Sequence, residues 1–278
     1  MDSDGPPFEV PLWGSDEGTS TNTCTIDGFL TTLLCAKWKD PFFPGKLLGK
    51  DKFTSACREF VTGRSDLNDR KHKFIDALYA PTDDGEYDLW GDEAAMILEK
   101  AKGLSTIEVI TSCGDCHALN KEKRDSFIVR RADDETLREA LMMTLAEPAK
   151  DYCVEKEKNS NCTKTKHVEL RVPAKTWLIP IDLSQGKVHY THINKLPPII
   201  GIGGVDFKLG GVTLFIDSNG SKKSSGHYSC VMWHEMRWLY YDGMAMNPIE
   251  TINHLSAIEK LKPGKGITCK IAYYFRCD

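Results

Sequence analysis

The chain has 278 residues, 41% of them hydrophobic and 27% charged, the composition of a globular protein large enough for one core divided into lobes. A net charge of −4 offers no electrostatic footprint for nucleic acid or an anionic membrane surface, and no apolar run reaches the ~18 residues a bilayer span requires. The first residues, Met1-Asp2-Ser3-Asp4-Gly5-Pro6-Pro7, are acidic and polar, unlike a secretory signal, so the ten cysteines are expected as reduced thiols of a cytosolic or nuclear protein.

Residues 1–20, rich in Pro, Gly, Ser and acids, read as a flexible lead-in that Trp13 pins to the body. A helix begins at Cys24, where Ile26, Phe29, Leu30, Leu33 and Leu34 form an amphipathic stripe. Thr21, Asn22 and Thr23 precede it as capping residue types, and the Asp40-Pro41 breaker ends it beyond about Lys37. Helical spacing recurs over 52–61, 69–79 and 92–102, which makes 21–104 an all-helical lobe. The pattern then turns β-rich. A strand over 106–111 leads into Cys113-Gly114-Asp115-Cys116-His117, followed by a strand at 126–129 and a helix at 133–145. Further strands are expected at 168–172, 176–183, 198–200, 212–216, 228–233, 237–241 and 268–275. Helices first and an antiparallel sheet after them define an α+β class.

Cys24 heads a helix whose unpaired N–H groups and positive dipole end are the setting in which a cysteine becomes nucleophilic. Far downstream, Ser225-Gly226-His227-Tyr228 opens one strand of a hairpin and Tyr240-Tyr241-Asp242 closes the other, so His227 and Asp242 become neighbours. A carboxylate beside an imidazole fixes its tautomer and orientation. Cysteine, histidine and carboxylate together are the parts of papain-type nucleophilic catalysis. Gly226 is expected to let a substrate backbone approach closely.

The Asn22-Thr23-Cys24 segment with Leu30 and Leu33 resembles the cysteine box of the ubiquitin-specific proteases. Ser225-Gly226-His227-Tyr228 with Trp238-Leu239-Tyr240-Tyr241-Asp242 resembles their histidine box. Residues 207–214 resemble the strand pair before that box, and Ile271-Ala272-Tyr273-Tyr274-Phe275 the strand that closes the family's domain. The resemblance spans about 14–278. It implies a papain-like cysteine protease fold with a helical thumb (about 21–104), β-rich fingers (about 105–200) and an antiparallel-sheet palm (about 201–278). It also implies Cys24 as nucleophile, His227 as base and then acid, and Asp242 as the orienting carboxylate, cleaving after the C-terminal Gly-Gly of ubiquitin or a ubiquitin-like protein.

Several positions depart from the family pattern. Thr19 stands where the family has an oxyanion-hole Asn, leaving Thr19, Ser20 or Asn22 to act with the Cys24 N–H. Asp27 and Thr31 replace the usual Asn and Gln, and Asp27 resembles the SUMO-directed branch. A SUMO isopeptidase and a non-catalytic, ubiquitin-binding pseudo-protease are therefore the alternatives.

Catalysis calls for no cofactor. Cys113 and Cys116 form a Cys-x-x-Cys turn, and Cys153 with Cys162 completes a set for the structural zinc that the family carries at its fingertips. His117 and His167 are substitute ligands. Cys35, Cys57, Cys230, Cys269 and Cys277 read as packing residues, and His234 as a solvated hairpin-loop residue.

Overall fold

The computed structural model describes residues 8–11, 20–101, 107–113, 119–124, 129–130, 166–183, 190–217, 226–234, 237–262 and 265–277. Four helices come first: α1 (Cys24–Lys39), α2 (Phe43–Lys46), α3 (Lys52–Thr62) and α4 (Leu67–Leu78). A fifth, α5 (Ala257–Leu261), lies near the end. Strands β1 (Ser20–Thr21) and β2 (Tyr87–Asp88) form a short parallel pair beside the start of α1. A three-stranded sheet has β3 (Ile107–Cys113) at its centre, between β4 (Leu119–Arg124) and β6 (Lys166–Arg171).

The large sheet carries the site. Its strands are β5 (Val129–Arg130), β7 (Leu178–Asp182), β8 (Ile199–Ile202), β9 (Val205–Asp217), β10 (His227–His234), β11 (Arg237–Tyr241), β12 (Ile249–Ile252) and β13 (Gly266–Arg276). They run in the order β12-β11-β10-β9-β13-β7-β5, with β8 folded back on β9 through Gly203 and Gly204, both at positive φ. Every pairing in it is antiparallel except β5 with β7. This is an α+β fold.

The centre of the molecule is α1. It is not half-exposed as an amphipathic stripe predicts: every residue from Cys24 to Cys35 is buried. Ile26, Phe29, Leu30 and Leu33 face the other helices and one end of β13, while Cys35 packs with Cys230, Met232 and Tyr241 of the β10–β11 hairpin. A helix enclosed on all sides needs its polar residues satisfied within the fold. Thr31 donates to the Asp27 carbonyl at 2.7 Å and Thr32 to the Phe29 carbonyl at 2.7 Å. Gly28 lets α1 settle onto the sheet, since a Cβ there would lie 3.0 Å from the Thr213 methyl. Glycine inside a helix costs about 1 kcal/mol of propensity, and the close approach to β9 and β10 is what that cost secures.

Two buried polar knots tie the helices to each other and to the sheet. In the first, Lys71 of α4, fully buried, donates to Thr23 Oγ1 at 2.9 Å and pairs with Asp27 Oδ1 at 3.1 Å. Thr23 in turn donates to Asp27 Oδ2 at 2.9 Å. In the second, Glu93 accepts from the Tyr273 hydroxyl at 2.7 Å and shares a short bond with Thr213. Burial raises the Glu93 carboxyl to about 8 against the pull of those two hydroxyls.

Elsewhere the fold departs from the sequence pattern in instructive ways. The helix expected over 92–102 contains one π turn, Ala94–Leu98, where the Tyr79 hydroxyl takes the Met96 carbonyl and Glu99 bonds back to Ala94. The strand pair expected within 207–214 is one continuous strand, β9, with register shifts against β13. Residues 8–11 pack on the body: Phe8 meets Trp38 at 5.5 Å, and Pro11 accepts from the Tyr241 hydroxyl at 2.7 Å. Trp13 and the helix expected at 133–145 lie outside the described residues.

Removing one member of a buried ion pair strands the other charge. Lys71→Met is expected to destabilise the fold by ~3–5 kcal/mol in chemical denaturation, with much of the loss recovered in the Asp27→Leu/Lys71→Met double variant. A second expectation concerns pH. Glu93 keeps its proton to about pH 8 in the folded chain, whereas an unfolded glutamate loses it near ~4.3. The folded state therefore binds more protons across that window, and its stability falls as pH rises through it. Glu93→Gln should flatten this decline in urea titrations between about pH 5 and 8; an unchanged slope would show that Glu93 is ionised when folded.

Candidate active site

The chain enters α1 through a sharp reversal. Thr21 closes β1, and Asn22 adopts a left-handed conformation (φ 59°), one that asparagine tolerates better than most residues. Asn22 Nδ2 donates to Asp88 Oδ1 at 2.8 Å, and the Trp90 N–H reaches the same oxygen at 3.0 Å. The Asn22 amide and then the Trp90 N–H hold the Asp88 carboxyl below its ordinary range. Thr23 takes the N-cap position with its carbonyl bonded to the Ile26 and Asp27 N–H groups, and its hydroxyl is held by Lys71 and Asp27. Cys24 follows as the first helical residue, buried to 5% exposure. Its N–H is one of the first-turn donors that have no acceptor within a helix.

His227 opens β10 opposite Ile216 of β9, and Asp242 follows directly on β11. Cys230 pairs with Tyr241, so the two side chains meet diagonally at the open end of the hairpin. His227 Nε2 lies 2.6 Å from Asp242 Oδ1. Cys24 lies close enough to act on the same ring and favours its protonated form. Burial opposes protonation of His227, but the bonds and charges of Asp242 and Cys24 outweigh it and raise the imidazole to about 9.

Asp242 is almost fully buried and saturated with donors. The Met244 N–H reaches Oδ1 at 3.0 Å, and the Lys262 ammonium reaches Oδ2 at 2.6 Å. Burial pushes this carboxyl up, yet His227, Lys262 and the Met244 N–H together hold it well below the usual carboxylate range. Cys24, His227 and Asp242, expected together from sequence, are thus brought together, with Asp242 bonded to His227 and Cys24 acting on the same ring.

Other expectations meet mixed outcomes. Of the oxyanion candidates, Asn22 spends an amide N–H on Asp88, Ser20 is buried in β1, and Thr19 lies outside the described residues. Asp27 is enclosed by Lys71 and Thr23 and does not face a groove. Gly226 serves the interior: a Cβ there would collide with the Phe215 ring at 1.8 Å. His234 is not simply solvated, since its ring packs on Trp38 at 3.8 Å. Trp233 and Trp238 meet at 5.0 Å near the closed end of the hairpin, about 20 Å along the strands from His227. Cys35, Cys57, Cys230 and Cys269 are buried, and burial drives each thiol up, Cys269 to about 12. Cys277 is exposed.

Of the residues expected to bind zinc, Cys113 is buried at the end of β3, and β6 brings His167 opposite the adjacent Ser112. Cys116, Cys153, Cys162 and His117 lie outside the described residues. Among the described residues no group of three or more His, Cys, Asp or Glu side chains gathers to hold a metal.

Sequence comparison is silent. No protein-family model matches the chain, and no curated protein matches it. Structure comparison is not. The SAGA Ubp8/Sgf11/Sus1/Sgf73 DUB module superposes with a TM-score of 0.50 at 10% identity, over 100% of this chain and 70% of that one. The pseudoubiquitin hydrolase–RNA exonuclease module of Saccharomyces cerevisiae Pan2, in complex with A7 RNA, gives a TM-score of 0.45 at 12% identity, over 97% of this chain and 55% of that one. The chain shares its fold with that DUB module. Within that fold a cysteine at a helix head, a histidine and an aspartate come together.

The histidine titration reads the site directly. NMR of His227 is expected to show protonation persisting to about pH 9. In Asp242→Ala it should fall by about one unit or more, because burial then acts with less opposition. A midpoint unchanged by the substitution would contradict the pairing.

Proposed function

We propose that this chain is a cysteine isopeptidase that releases ubiquitin, or a ubiquitin-like modifier, by cutting after its C-terminal Gly-Gly. The observation that carries the reading is the meeting of Cys24 at the head of α1 with the bonded His227–Asp242 pair, in a fold shared with a DUB module. His227 takes the Cys24 proton, and Sγ attacks the carbonyl carbon of the terminal glycine. The resulting oxyanion faces the Cys24 N–H at the helix start. As the intermediate collapses, the His227 imidazolium gives its proton to the departing lysine amine and a thioester remains. His227 then takes a proton from water, which attacks the thioester and returns the free thiol. Asp242 stays ionised throughout and holds the ring in the tautomer that both transfers need.

The thumb (21–104), fingers (105–200) and palm (201–278) are the corresponding proposed divisions, with zinc on Cys113, Cys116, Cys153 and Cys162 a structural accessory rather than a participant. A binding-only role has less support, because an adaptor has no use for a buried cysteine placed against a bonded histidine–aspartate pair.

Ubiquitin and SUMO carrying a C-terminal fluorogenic amide distinguish the modifiers. Hydrolysis of one is expected, and Cys24→Ala should lower it by a factor on the order of 10⁴ or more. Turnover retained in Cys24→Ala would remove the assigned nucleophile, and folded wild-type protein inert on both would favour the binding role.

A further inference from the structure

Asp242 has a partner that no feature of the catalytic motifs announces. Lys262 caps the C-terminal end of α5, where its N–H bonds to the Ile258 carbonyl at 2.9 Å, and Ile258 itself is fully buried. Its backbone is therefore fixed by the core, while its side chain, 30% exposed, reaches inward to Asp242 Oδ2 at 2.6 Å. The oxygens of Asp242 are divided between two cations: Oδ1 toward His227 and the Met244 N–H, Oδ2 toward Lys262. The remaining neighbour of Oδ2 is the Tyr240 hydroxyl, at 3.5 Å. Among the described residues, the ionisable groups facing this carboxylate are thus His227 from β10, Tyr240 from β11 and Lys262 from the end of α5, while Cys24 from α1 faces the far side of His227.

We infer that Lys262 is a positioning residue for the reaction proposed above, acting through Asp242 as the outer member of a Cys24–His227–Asp242–Lys262 relay. Two consequences follow from its place. By engaging Oδ2 it steadies the carboxylate, whose Oδ1 is also held by the Met244 N–H, so that loss of Lys262 reaches His227 chiefly as a loss of charge. By placing a positive charge behind Asp242 it also weakens the hold of that carboxylate on the imidazolium. An imidazolium bound too tightly is a poor donor to the leaving amine, so Lys262 keeps His227 acidic enough to release its proton. No proton need pass to Lys262 and it touches no reacting atom.

The inference rests on the isopeptidase reading, and its test is arranged so that the two fail separately. Lys262→Met and Lys262→Arg would be compared with the wild type in two ways, with circular dichroism confirming the fold. The first readout is the NMR titration of His227 in a Cys24→Ala background, which requires no activity. Lys262→Met should move the midpoint up by about one unit relative to that background, and Lys262→Arg should leave it nearly in place. The second is the pH profile of hydrolysis of whichever C-terminal fluorogenic modifier the wild type cleaves. Lys262→Met should lower kcat about tenfold with little change in KM and shift the alkaline limb upward, while Lys262→Arg restores most of the rate. A His227 midpoint that does not move in Lys262→Met overturns the relay whatever the activity. A shifted midpoint in a protein inert on every modifier would uphold the electrostatic coupling and remove the isopeptidase reading alone.

Discussion

Everything in this molecule turns on the burial of α1. A helix with the proposed nucleophile at its head has to hold that head still, and this one is enclosed from Cys24 to Cys35 between the other helices and the large sheet. Enclosure of that kind is demanding. Its polar residues call for partners, which most of them find though Thr25 Oγ1 does not among the described residues, the helix axis has to approach the sheet closely, and the residues before it need to turn without slack. Thr31 and Thr32 bond back to the helix carbonyls, Gly28 removes the Cβ that would meet Thr213, and Asn22 supplies the left-handed turn. The geometry of Cys24 against His227 is the sum of these choices.

The polar knots complete that frame. Lys71, Thr23 and Asp27 join α4 to the first turn of α1, so the residue before the cysteine and the residue one turn after it are clamped together. Glu93 joins the π turn to β9 and β13, and the Tyr228 hydroxyl, next to His227, receives the Glu93 N–H at 3.3 Å. Buried polar groups add little net stability over an apolar equivalent, but they are costly to mispair. Their consequence here is a set of helices and a sheet held in one alignment, with Cys24 and His227 on opposite sides of the joint. In that sense the site is a property of the interface between lobes rather than of either lobe.

Much of this was legible in sequence, and the failures have a common cause. The apolar spacing of α1, α3 and α4 and the aromatic-rich hairpin of β10 and β11 are local patterns, and their elements form close to where those patterns place them. Cys24, His227 and Asp242 were legible because a helix head and a hairpin make simple promises about position. Lys71, Glu93 and Lys262 were not. A lysine or glutamate in a helical segment reads as a solvated residue until its partner is known, and those partners lie 44, 120 and 20 residues away for Asp27, Thr213 and Asp242 respectively. Lys71 did carry a signal, for it shares the buried face of α4 with Leu67, Phe74 and Ile75. Gly226 before a histidine suggests clearance for a substrate, but its neighbour is Phe215, a contact that only the β9–β10 register reveals.

The account stands or falls on which sulfur reacts. Ubiquitin and SUMO bearing a C-terminal electrophile would each be incubated with the intact protein, and the adduct located by tandem mass spectrometry among the ten cysteines. A single adduct on Cys24, lost when His227 is replaced by alanine, is the predicted result. An adduct on exposed Cys277, or one on Cys24 that is indifferent to His227, would contradict it.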